Sequence, residues 1–383
     1  MFFEDYDDKI TRGLLSGNRF SVVYRLYGDE RTVRSRAEDI CAEQTVEFPV
    51  RFLPEGAIPD AVLGRIESLE KEDDGRWLAR ISFADEIAAG EFTQFLNVVF
   101  GNISIKQGIQ ALKIYPGRGI LKLFPGPRFG IPGIRETVKA EARPLLFTAL
   151  KPMGLSAANM AVLASQFVRG GVDIIKDDHG LSDQVFAPFE ERVRRCADAV
   201  REENVKSGRS AIYVPNITAP ADKLAERAFR AKELGAGALL IIPGLTGFDA
   251  MRSLAASGID LPIFSHPAFA GTYAINPQGI APELIFGLLP RLAGADAAIF
   301  PNYGGRFPLT RDDCLGIARA CREDFGAYEP VFPSPAGGME LGSIGGMIQS
   351  YGRDFLALVG GGLFNSGADL VDNCRRFLET LGQ

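Results

Sequence analysis

The alternation of apolar and polar positions changes character partway along this chain. Up to about residue 118, alternating runs such as Phe20 to Tyr27 and Trp77 to Phe83 stand between polar segments with helical spacing. After Arg143, continuous apolar runs of four to seven residues recur, and a helical segment follows each of them. The pattern predicts two domains of different architecture.

The first part predicts a small α+β domain, of the ferredoxin-like kind, over residues 1–135. Its predicted strands are Phe20–Tyr27, Thr45–Phe52, Trp77–Phe83 and Ile109–Tyr115, and its predicted helices are Arg31–Cys41 and Asp85–Phe95. This order favours one sheet with helices on one face. Tyr115 to Pro132 is rich in Gly and Pro and is predicted to connect the two domains.

The second part predicts a (β/α)₈ TIM barrel over residues 136–383. Eight strand–helix units in about 235 residues match that fold in count and size. The predicted strands are Leu145–Leu150, Val172–Ile175, Ala211–Ile217, Ala238–Ile242, Pro262–Ser265, Ala297–Pro301, Val331–Pro335 and Phe355–Val359. The predicted helices include Ser156–Arg169, Glu190–Asn204, Ala219–Leu234 and Gln278–Leu292. An open doubly wound sheet is the rival fold, but it normally has Gly-x-Gly-x-x-Gly after its first strand, where this chain has Lys-Pro-Met-Gly.

Composition excludes several classes of function. The formal net charge of -6 gives no basic surface for nucleic acid, and no apolar run approaches the ~20 residues of a membrane span. The acidic start lacks the basic and apolar regions of a signal peptide, so a cytoplasmic location is expected. The five cysteines are scattered without metal-binding spacing and are predicted to be reduced thiols.

Titratable residues cluster where the predicted barrel strands end. The strand Val172–Ile175 runs directly into Lys176, Asp178 and His179. Because side chains alternate along a strand, Lys176 and Asp178 should point the same way. For an arbitrary strand, a salt bridge with His179 as a bystander is the better interpretation. Here, however, both histidines of the chain, His179 and His266, fall at such strand ends, and that favours a site.

Other strand ends add residues suited to a phosphorylated substrate. Gly337-Gly338 and Gly360-Gly361 follow the last two strands, where barrels commonly bind phosphate through backbone N–H groups. A tight turn is the ordinary explanation of such glycine pairs. Arg306 lies in a Gly-Gly-Arg-Phe loop and is predicted to close over the anion, with an exposed loop arginine as the equal alternative. Asn216 ends the third strand and is a predicted substrate contact.

Two lysines have distinct predicted roles in this set. Burial and a second nearby lysine would lower the pKa of Lys151, which makes it a candidate proton carrier. An uncharged Lys176 amine can take up CO₂ and become a carbamate, which converts a cation into a carboxylate-like ligand. Together with Asp178 and His179 it would then offer two oxygens and one nitrogen to Mg²⁺.

These segments resemble the large subunit of ribulose-bisphosphate carboxylase over nearly the whole chain. The resemblance is carried by Arg143 to Ser156, Gly170 to His179, Gly360 to Gly362 and the linker Phe124 to Ile131. It further implies that Glu43 and Asn102 act in the barrel of a neighbouring subunit, so a homodimer is implied in which each N-terminal domain caps the partner's barrel. Lys151, Lys176 and His266, with Glu43 and Asn102, are then the predicted catalytic residues.

Departures from the family pattern bear on function. His179 replaces the glutamate of the Lys-x-Asp-Glu metal motif, and Arg306 replaces the mobile-loop lysine that positions CO₂. Met153 replaces a second lysine of the first-strand motif. Pro267 and Ile299 replace residues that hold one of the two substrate phosphates in the family. The glycine pairs that hold the other phosphate are kept. Ala336 replaces a serine before the seventh-strand glycines. The resemblance is therefore to the RuBisCO-like (type IV) proteins, with a singly phosphorylated substrate and no CO₂ fixation expected.

Three functions follow as hypotheses. The leading one is decarboxylation or carboxyl transfer on a 3-oxo sugar acid phosphate of the 3-oxo-isoapionate 4-phosphate type, because the histidine in the metal motif separates this chain from the salvage enolases. The first alternative is an enolase acting on 2,3-diketo-5-methylthiopentyl 1-phosphate, or an isomerase of a methylthio-sugar phosphate. The last is a protein that binds a sugar phosphate without catalysis.

Overall fold

The computed structural model describes residues 3, 6–326 and 328–382. Contacts divide the chain into two compact units. The first holds Met1–Phe124 with Thr272–Ile285, and the second holds Pro125–Gly271 with Phe286–Gln383. The predicted domain boundary between residues 135 and 136 stays a prediction.

The described residues form strands and helices throughout both units. The strands are β1 (Arg19–Tyr27), β2 (Arg65–Asp73), β3 (Arg76–Ala84), β4 (Ile109–Tyr115), β5 (Leu145–Leu150), β6 (Ile174–Asp177), β7 (Ile212–Val214), β8 (Leu239–Ile241), β9 (Ile263–Ser265), β10 (Gly279–Ile280), β11 (Ala297–Pro301), β12 (Phe332–Ala336) and β13 (Leu356–Leu358). The α-helices are α1 (Asp8–Leu14), α2 (Glu30–Glu43), α3 (Phe92–Phe100), α4 (Gly117–Leu121), α5 (Gly130–Val138), α6 (Ala157–Gly170), α7 (Phe189–Ser207), α8 (Leu224–Glu233), α9 (Pro243–Thr246), α10 (Phe248–Ala256), α11 (Gly271–Ala274), α12 (Leu289–Leu292), α13 (Arg311–Arg322), α14 (Ile344–Tyr351) and α15 (Leu370–Leu381). Within these ranges, no helix combines the length and the apolar character needed to cross a membrane.

A mixed five-stranded sheet organises the first unit. Its spatial order is β10-β4-β1-β3-β2, with β4, β1, β3 and β2 antiparallel and β10 added parallel to β4. Phe20, Val22, Tyr24 and Leu26 recur at every second position of β1 and are fully buried, as expected for a central strand. The predicted α+β class of this part is confirmed.

Two predicted elements of the first unit are wrong. Thr45–Phe52 is not a strand, since Pro49 lacks an N–H for a ladder, Glu47 takes a left-handed conformation and Val50–Phe52 is a 3₁₀ helix. The predicted helix Asp85–Phe95 is divided, because Ala89 and Gly90 both have positive φ and end a short 3₁₀ turn before α3 begins. β2 was missed because its residues are mostly charged, which an exposed edge strand tolerates.

The second unit is a closed parallel barrel. Its eight strands follow the order β7-β6-β5-β13-β12-β11-β9-β8, and a parallel bridge between Asn216 and Leu240 joins the two ends. All six residues of β5 are buried, which explains the continuous apolar run that predicted it. The predicted TIM barrel is confirmed. The predicted helix Gln278–Leu292 is wrong at its start, because Gly279 and Ile280 pair with β4 in the first unit and a π-helix, Leu284–Leu288, precedes α12.

An unpaired carboxylate lies buried in the first unit. Asp85 is 8% exposed, and neither side-chain oxygen has a hydrogen-bond partner. Burial raises the pKa of Asp85 to about 6, the negative charge of Glu86 adds to this effect, and Arg19 opposes it. A group with a raised acid pKa binds its proton more tightly in the folded state, so folding stability falls as pH rises from about 4 to about 6.

Replacing Asp85 with Asn should therefore stabilise the protein above pH 6. We expect a gain of about 1–2 kcal/mol at pH 7.5, discounted for solvent screening, and almost none near pH 4. Thermal unfolding of both proteins between pH 4.5 and 8 measures this difference. Asp74→Asn, which removes the same charge from an exposed turn, is the control, and a gain that does not vary with pH would contradict the argument.

Candidate active site

Side chains from three barrel strands meet at the carboxyl end of the barrel. Lys151 follows β5, and its Nζ lies 2.8 Å from Oδ2 of Asp178, which follows β6. Oδ1 of Asp178 lies 3.3 Å from Nδ1 of His179. The His179 ring stacks on the ring of His266, which follows β9, with centroids 4.8 Å apart and planes 10° apart. Four predicted site residues thus form one connected cluster.

Lys176 lies beneath this cluster at the end of β6. It is 2% exposed, and its Nζ donates a hydrogen bond to the backbone carbonyl of Asp177 at 3.0 Å. Burial lowers the pKa of Lys176 to about 8; Lys151 acts in the same direction, while Asp178 opposes it. About one Lys176 side chain in ten is therefore an uncharged amine at pH 7, far more than for an ordinary lysine.

Asp178 is held as an anion, and His266 is held as a neutral ring. Burial acts to raise the pKa of Asp178, but the hydrogen bonds with His179 and Lys151 and the charge of Lys176 outweigh it and lower the pKa. Burial, with the charges of Lys176 and His179, lowers the pKa of His266 well below its ordinary value. Nδ1 of His266 accepts a hydrogen bond from the N–H of Ala268 at 3.2 Å, so the neutral ring carries its proton on Nε2. Asp178 is thus an anion and His266 a neutral donor.

The cluster fits a divalent cation if Lys176 is carbamylated. Among the described residues, no three His, Cys, Asp or Glu side chains are grouped so that they could hold a metal ion. Asp178 and His179 supply two neighbouring donors, and an unmodified ammonium would repel the metal. A carbamate on Lys176 would add the missing anionic oxygen, and the lowered pKa of this amine suits reaction with CO₂.

The two glycine pairs line the same end of the barrel. Gly337 and Gly338 follow β12 with φ of +94° and +86°, a conformation that favours glycine. A Cβ placed on Gly360 would lie 3.9 Å from Cε of Lys151, whereas one on Gly361 would meet nothing within 4 Å. The second turn therefore borders Lys151 and opens outward.

The loop of Arg306 packs directly on the first of these turns. A Cβ on Gly305 would lie 2.0 Å from the carbonyl oxygen of Gly337, so only glycine fits there. The Arg306 guanidinium lies over the Phe307 ring, 5.0 Å from its centroid, and the Arg306 side chain is exposed. A role for Arg306 in binding the anion stays a prediction.

Introducing a negatively charged side chain at position 361 tests the predicted phosphate position. Because the space above Gly361 is open, Gly361→Asp should fold normally and place a carboxylate where the phosphate is predicted. We expect KM for a phosphorylated substrate to rise at least about tenfold, or ~1.4 kcal/mol of lost binding. Gly361→Asn, with the same bulk and no charge, should change KM far less. Equal KM values for both variants and the parent would place the phosphate elsewhere.

Asn216 has a different position from the one its predicted role suggests. Its Nδ2 donates to the carbonyls of His179 at 2.9 Å and Leu181 at 2.8 Å, and its Oδ1 accepts the N–H of Thr218 at 3.1 Å. Asn216 is 2% exposed. In this structure its amide holds the loop after β6, and substrate contact by Asn216 stays a prediction.

Glu43 and Asn102 lie in the first unit and contact each other. Nδ2 of Asn102 donates to Oε1 of Glu43 at 3.1 Å, and Lys106 donates to Oε2 of Glu43 at 2.7 Å. These two hydrogen bonds, that from Lys106 first, lower the pKa of Glu43. Glu43 is therefore an oriented carboxylate, and its predicted action in a partner's barrel stays a prediction.

Asp177 lies between two predicted site residues and was not itself predicted as one. Its carboxylate is fully buried and accepts hydrogen bonds from Tyr213 and Arg192. Alternation along β6 was the available signal, because it places Asp177 opposite to its neighbours Lys176 and Asp178.

Comparison with known proteins identifies relatives along the whole chain. The family model for the ribulose bisphosphate carboxylase large chain, catalytic domain, matches residues 130–305. Ribulose bisphosphate carboxylase-like protein 1 of Rhodopseudomonas palustris is 36% identical over 94% of this chain and 96% of its own. A 5-methylthioribulose-1-phosphate isomerase of Rhodospirillum rubrum is 35% identical over 95% and 96% of the two chains. A 2,3-diketo-5-methylthiopentyl-1-phosphate enolase of Geobacillus thermodenitrificans is 35% identical over 88% and 86%.

A solved structure agrees with these relatives. The crystal structure of a Rubisco-like protein from Rhodopseudomonas palustris superposes with a TM-score of 0.86 at 36% identity, covering 95% of this chain and 97% of that one. The similarity therefore extends over both compact units.

Proposed function

This chain belongs to the ribulose-bisphosphate carboxylase large-chain family as a RuBisCO-like enzyme of the enolase and isomerase kind, and we propose that it isomerises a keto-sugar phosphate through an enediolate. The proposed substrate carries one phosphate, a carbonyl group and an uncharged tail, as 5-methylthioribulose 1-phosphate does. One proton leaves the carbon beside the carbonyl, and one proton is returned to another carbon, so atoms balance without a redox partner.

The position of Lys151 carries this proposal. Its ammonium lies between the turn at Gly360 and the Asp178–His179–His266 cluster. The side chain of Lys151 is 38% exposed, so a bound substrate can reach it. A substrate held by its phosphate at the glycine turns would present the adjoining carbons to Lys151.

The chain's own residues divide the proton transfers between them. Lys151 exchanges a proton with the substrate carbon, and Asp178 holds its Nζ at 2.8 Å. His266 transfers no proton; it donates a hydrogen bond from Nε2 to the developing enolate oxygen and so stays neutral. A divalent cation held by carbamylated Lys176, Asp178 and His179 would polarise the substrate carbonyl.

Uncharged residues at the far side of the mouth support a tail without a second phosphate. β13 borders β5 on the phosphate side, and β6 borders it on the other. There Met153 is 48% exposed and packs over Gly180, whose Cβ, if present, would lie 2.5 Å from Cε of Met153. Pro267 follows His266 at the end of β9, whereas Ile299 is buried in the barrel core on β11, beside β12. Neither Met153 nor Pro267 offers a positive charge that would offset the desolvation of a second phosphate.

Decarboxylation of a 3-oxo sugar acid phosphate, the leading hypothesis from sequence, stays a prediction. It uses the same enolate, so the cluster suits both reactions. The relatives named above include an isomerase and an enolase at 35% identity, and the isomerase matches 95% of this chain against 88% for the enolase, which favours isomerisation.

Substrate tests in deuterated water separate these reactions. The purified protein is incubated with 5-methylthioribulose 1-phosphate, 2,3-diketo-5-methylthiopentyl 1-phosphate or a 3-oxo sugar acid phosphate, and products are followed by NMR. We expect isomerisation and carbon-bound deuterium with the first. Turnover of only the diketone would assign an enolase, and release of CO₂ from the 3-oxo acid alone would assign a decarboxylase. Binding of all three phosphates without turnover or exchange would favour a non-catalytic role.

We also propose a homodimer in which Glu43 and Asn102 complete the partner's site. Both residues lie close together on the first unit, where Asn102 donates to Glu43 and Glu47, and Glu43 also accepts from Lys106. Light scattering at micromolar concentration should give twice the mass of the chain. Full activity of a monomer would contradict this assembly.

A further inference from the structure

A fully buried charge network lies directly behind the candidate active site. The carboxylate of Asp177 accepts hydrogen bonds from Tyr213 Oη at 2.6 Å, Arg192 Nε at 3.1 Å and the backbone N–H of Asn216 at 3.0 Å. Asp177 and Arg192 are 0% exposed, and Tyr213 is 1% exposed. Such a pair is retained in a protein interior only when its hydrogen bonds are satisfied, as they are here.

The same network forms hydrogen bonds that hold the loop following β6. Arg192 Nη1 donates to the carbonyl of Ala187 at 2.6 Å, and Nη2 donates to the carbonyl of Ser182 at 2.7 Å. The backbone N–H of Asn216 donates a hydrogen bond to Asp177. Its side-chain Nδ2 donates hydrogen bonds to the carbonyls of His179 and Leu181. The loop is therefore tied to Asp177 at its start, middle and end.

We infer that Asp177 is a positioning residue, which sets the place of His179 through the buried Tyr213–Asp177–Arg192 network and Asn216. Asp177 does not reach the mouth of the barrel, because β6 turns its side chain toward α7, where Arg192 lies. Asp177 therefore affects catalysis indirectly, by holding the loop that carries His179. His179 is held at one side by the Asn216 bond to its carbonyl, and at the other by its ring stack on His266.

The expected consequence rests on the proposed function. A proton donor and acceptor must stay within hydrogen-bond reach of the substrate, and a displacement of about 1 Å is able to cost about a hundredfold in rate. The glycine turns predicted to bind phosphate follow β12 and β13, and the described backbone hydrogen bonds do not join them to this loop. Weakening the network should thus lower kcat while KM stays nearly constant.

Tyr213→Phe tests the inference with the smallest change. It removes the hydroxyl that contacts Asp177 and leaves the charges and the ring in place. Tyr24→Phe is the matched control, because Tyr24 is also fully buried and its hydroxyl makes one bond of 2.7 Å, to the carbonyl of Val99. We expect Tyr213→Phe to lower kcat about tenfold or more with KM changed less than about twofold, and Tyr24→Phe to leave both unchanged.

Histidine NMR reports the position of His179 without any substrate. The chain has two histidines, His179 and His266, so selectively labelled protein gives two imidazole signals. Tyr213→Phe should shift the His179 signal as the ring stack changes, and Tyr24→Phe should not. If Tyr213→Phe leaves both signals and kcat unchanged, the inference is wrong. If the parent protein turns over none of the three substrates but Tyr213→Phe still shifts the His179 signal, the positioning role is supported and the proposed function is overturned.

Asp177→Asn provides the stronger perturbation. It should shift the His179 signal further than Tyr213→Phe and lower kcat further, since Arg192 then loses its counter-charge. A smaller effect than that of Tyr213→Phe would show that Tyr213 acts by another route. If Asp177→Asn does not fold, the comparison of Tyr213→Phe with Tyr24→Phe still decides the question.

Discussion

Lys151→Met should lower kcat about a thousandfold, or ~4 kcal/mol of transition-state stabilisation, with KM changed far less. Methionine keeps most of the side-chain volume and removes the amine that lies 2.8 Å from Asp178. The glycine turns that are predicted to bind phosphate are untouched, so substrate binding should persist. Turnover and deuterium exchange at the substrate carbon, measured separately, show whether proton transfer itself is lost.

Two further variants define what Lys151 contributes. Lys151→Arg keeps a positive charge near Asp178, but guanidinium is too weak an acid to exchange protons at neutral pH, so activity should stay low. Lys223→Met removes an exposed lysine outside the cluster and should have no effect. Recovery of activity in Lys151→Arg would assign Lys151 a purely electrostatic role, and a fall of less than tenfold in Lys151→Met would remove it from the reaction.

The barrel was predictable because its signal is local. Parallel strands covered on both faces need apolar residues at nearly every position, as in Leu145–Leu150 and Ala297–Pro301, whose predicted bounds match the structure. The charged edge strand Arg65–Asp73 lacks that signal. It pairs with one neighbouring strand, β3, and water can bond to its other edge, so its residues need not be apolar. Its pairing partner, not its own composition, makes it a strand.

Site residues were predictable as a set, but their contacts were not. The ends of parallel strands gather at one end of a barrel, so Lys151, Asp178 and His266 were expected to be neighbours. The ring stack between His179 and His266 joins residues that follow β6 and β9, and no sequence spacing encodes it. Asp177 is adjacent to two site residues in sequence and faces away from them, so its role depends on Arg192 and Tyr213, which lie far along the chain.

Removal of divalent metal should abolish activity if Lys176 is carbamylated. The carbamate and Asp178 together carry about two negative charges, and His179 adds a neutral nitrogen, a set that binds Mg²⁺ weakly. Exhaustive chelation should then reduce turnover below detection, and Mg²⁺ with bicarbonate should restore it. Mass spectrometry under native conditions, or ¹³C NMR after labelling with ¹³CO₂, reads the carbamate directly.

His179→Ala separates the metal role of His179 from a role in proton transfer. If His179 is a ligand, the variant should need far more Mg²⁺ for half-maximal activity, because one of three protein donors is gone and imidazole contributes without charge. His179→Asn, which keeps a short polar side chain, should recover little. An unchanged Mg²⁺ requirement with lowered kcat would instead make His179 a proton carrier, oriented by Asp178 at 3.3 Å. Full activity of the parent after chelation would show that Lys176 acts as an amine, and Lys151 and His266 would then carry the charge stabilisation of the enediolate alone.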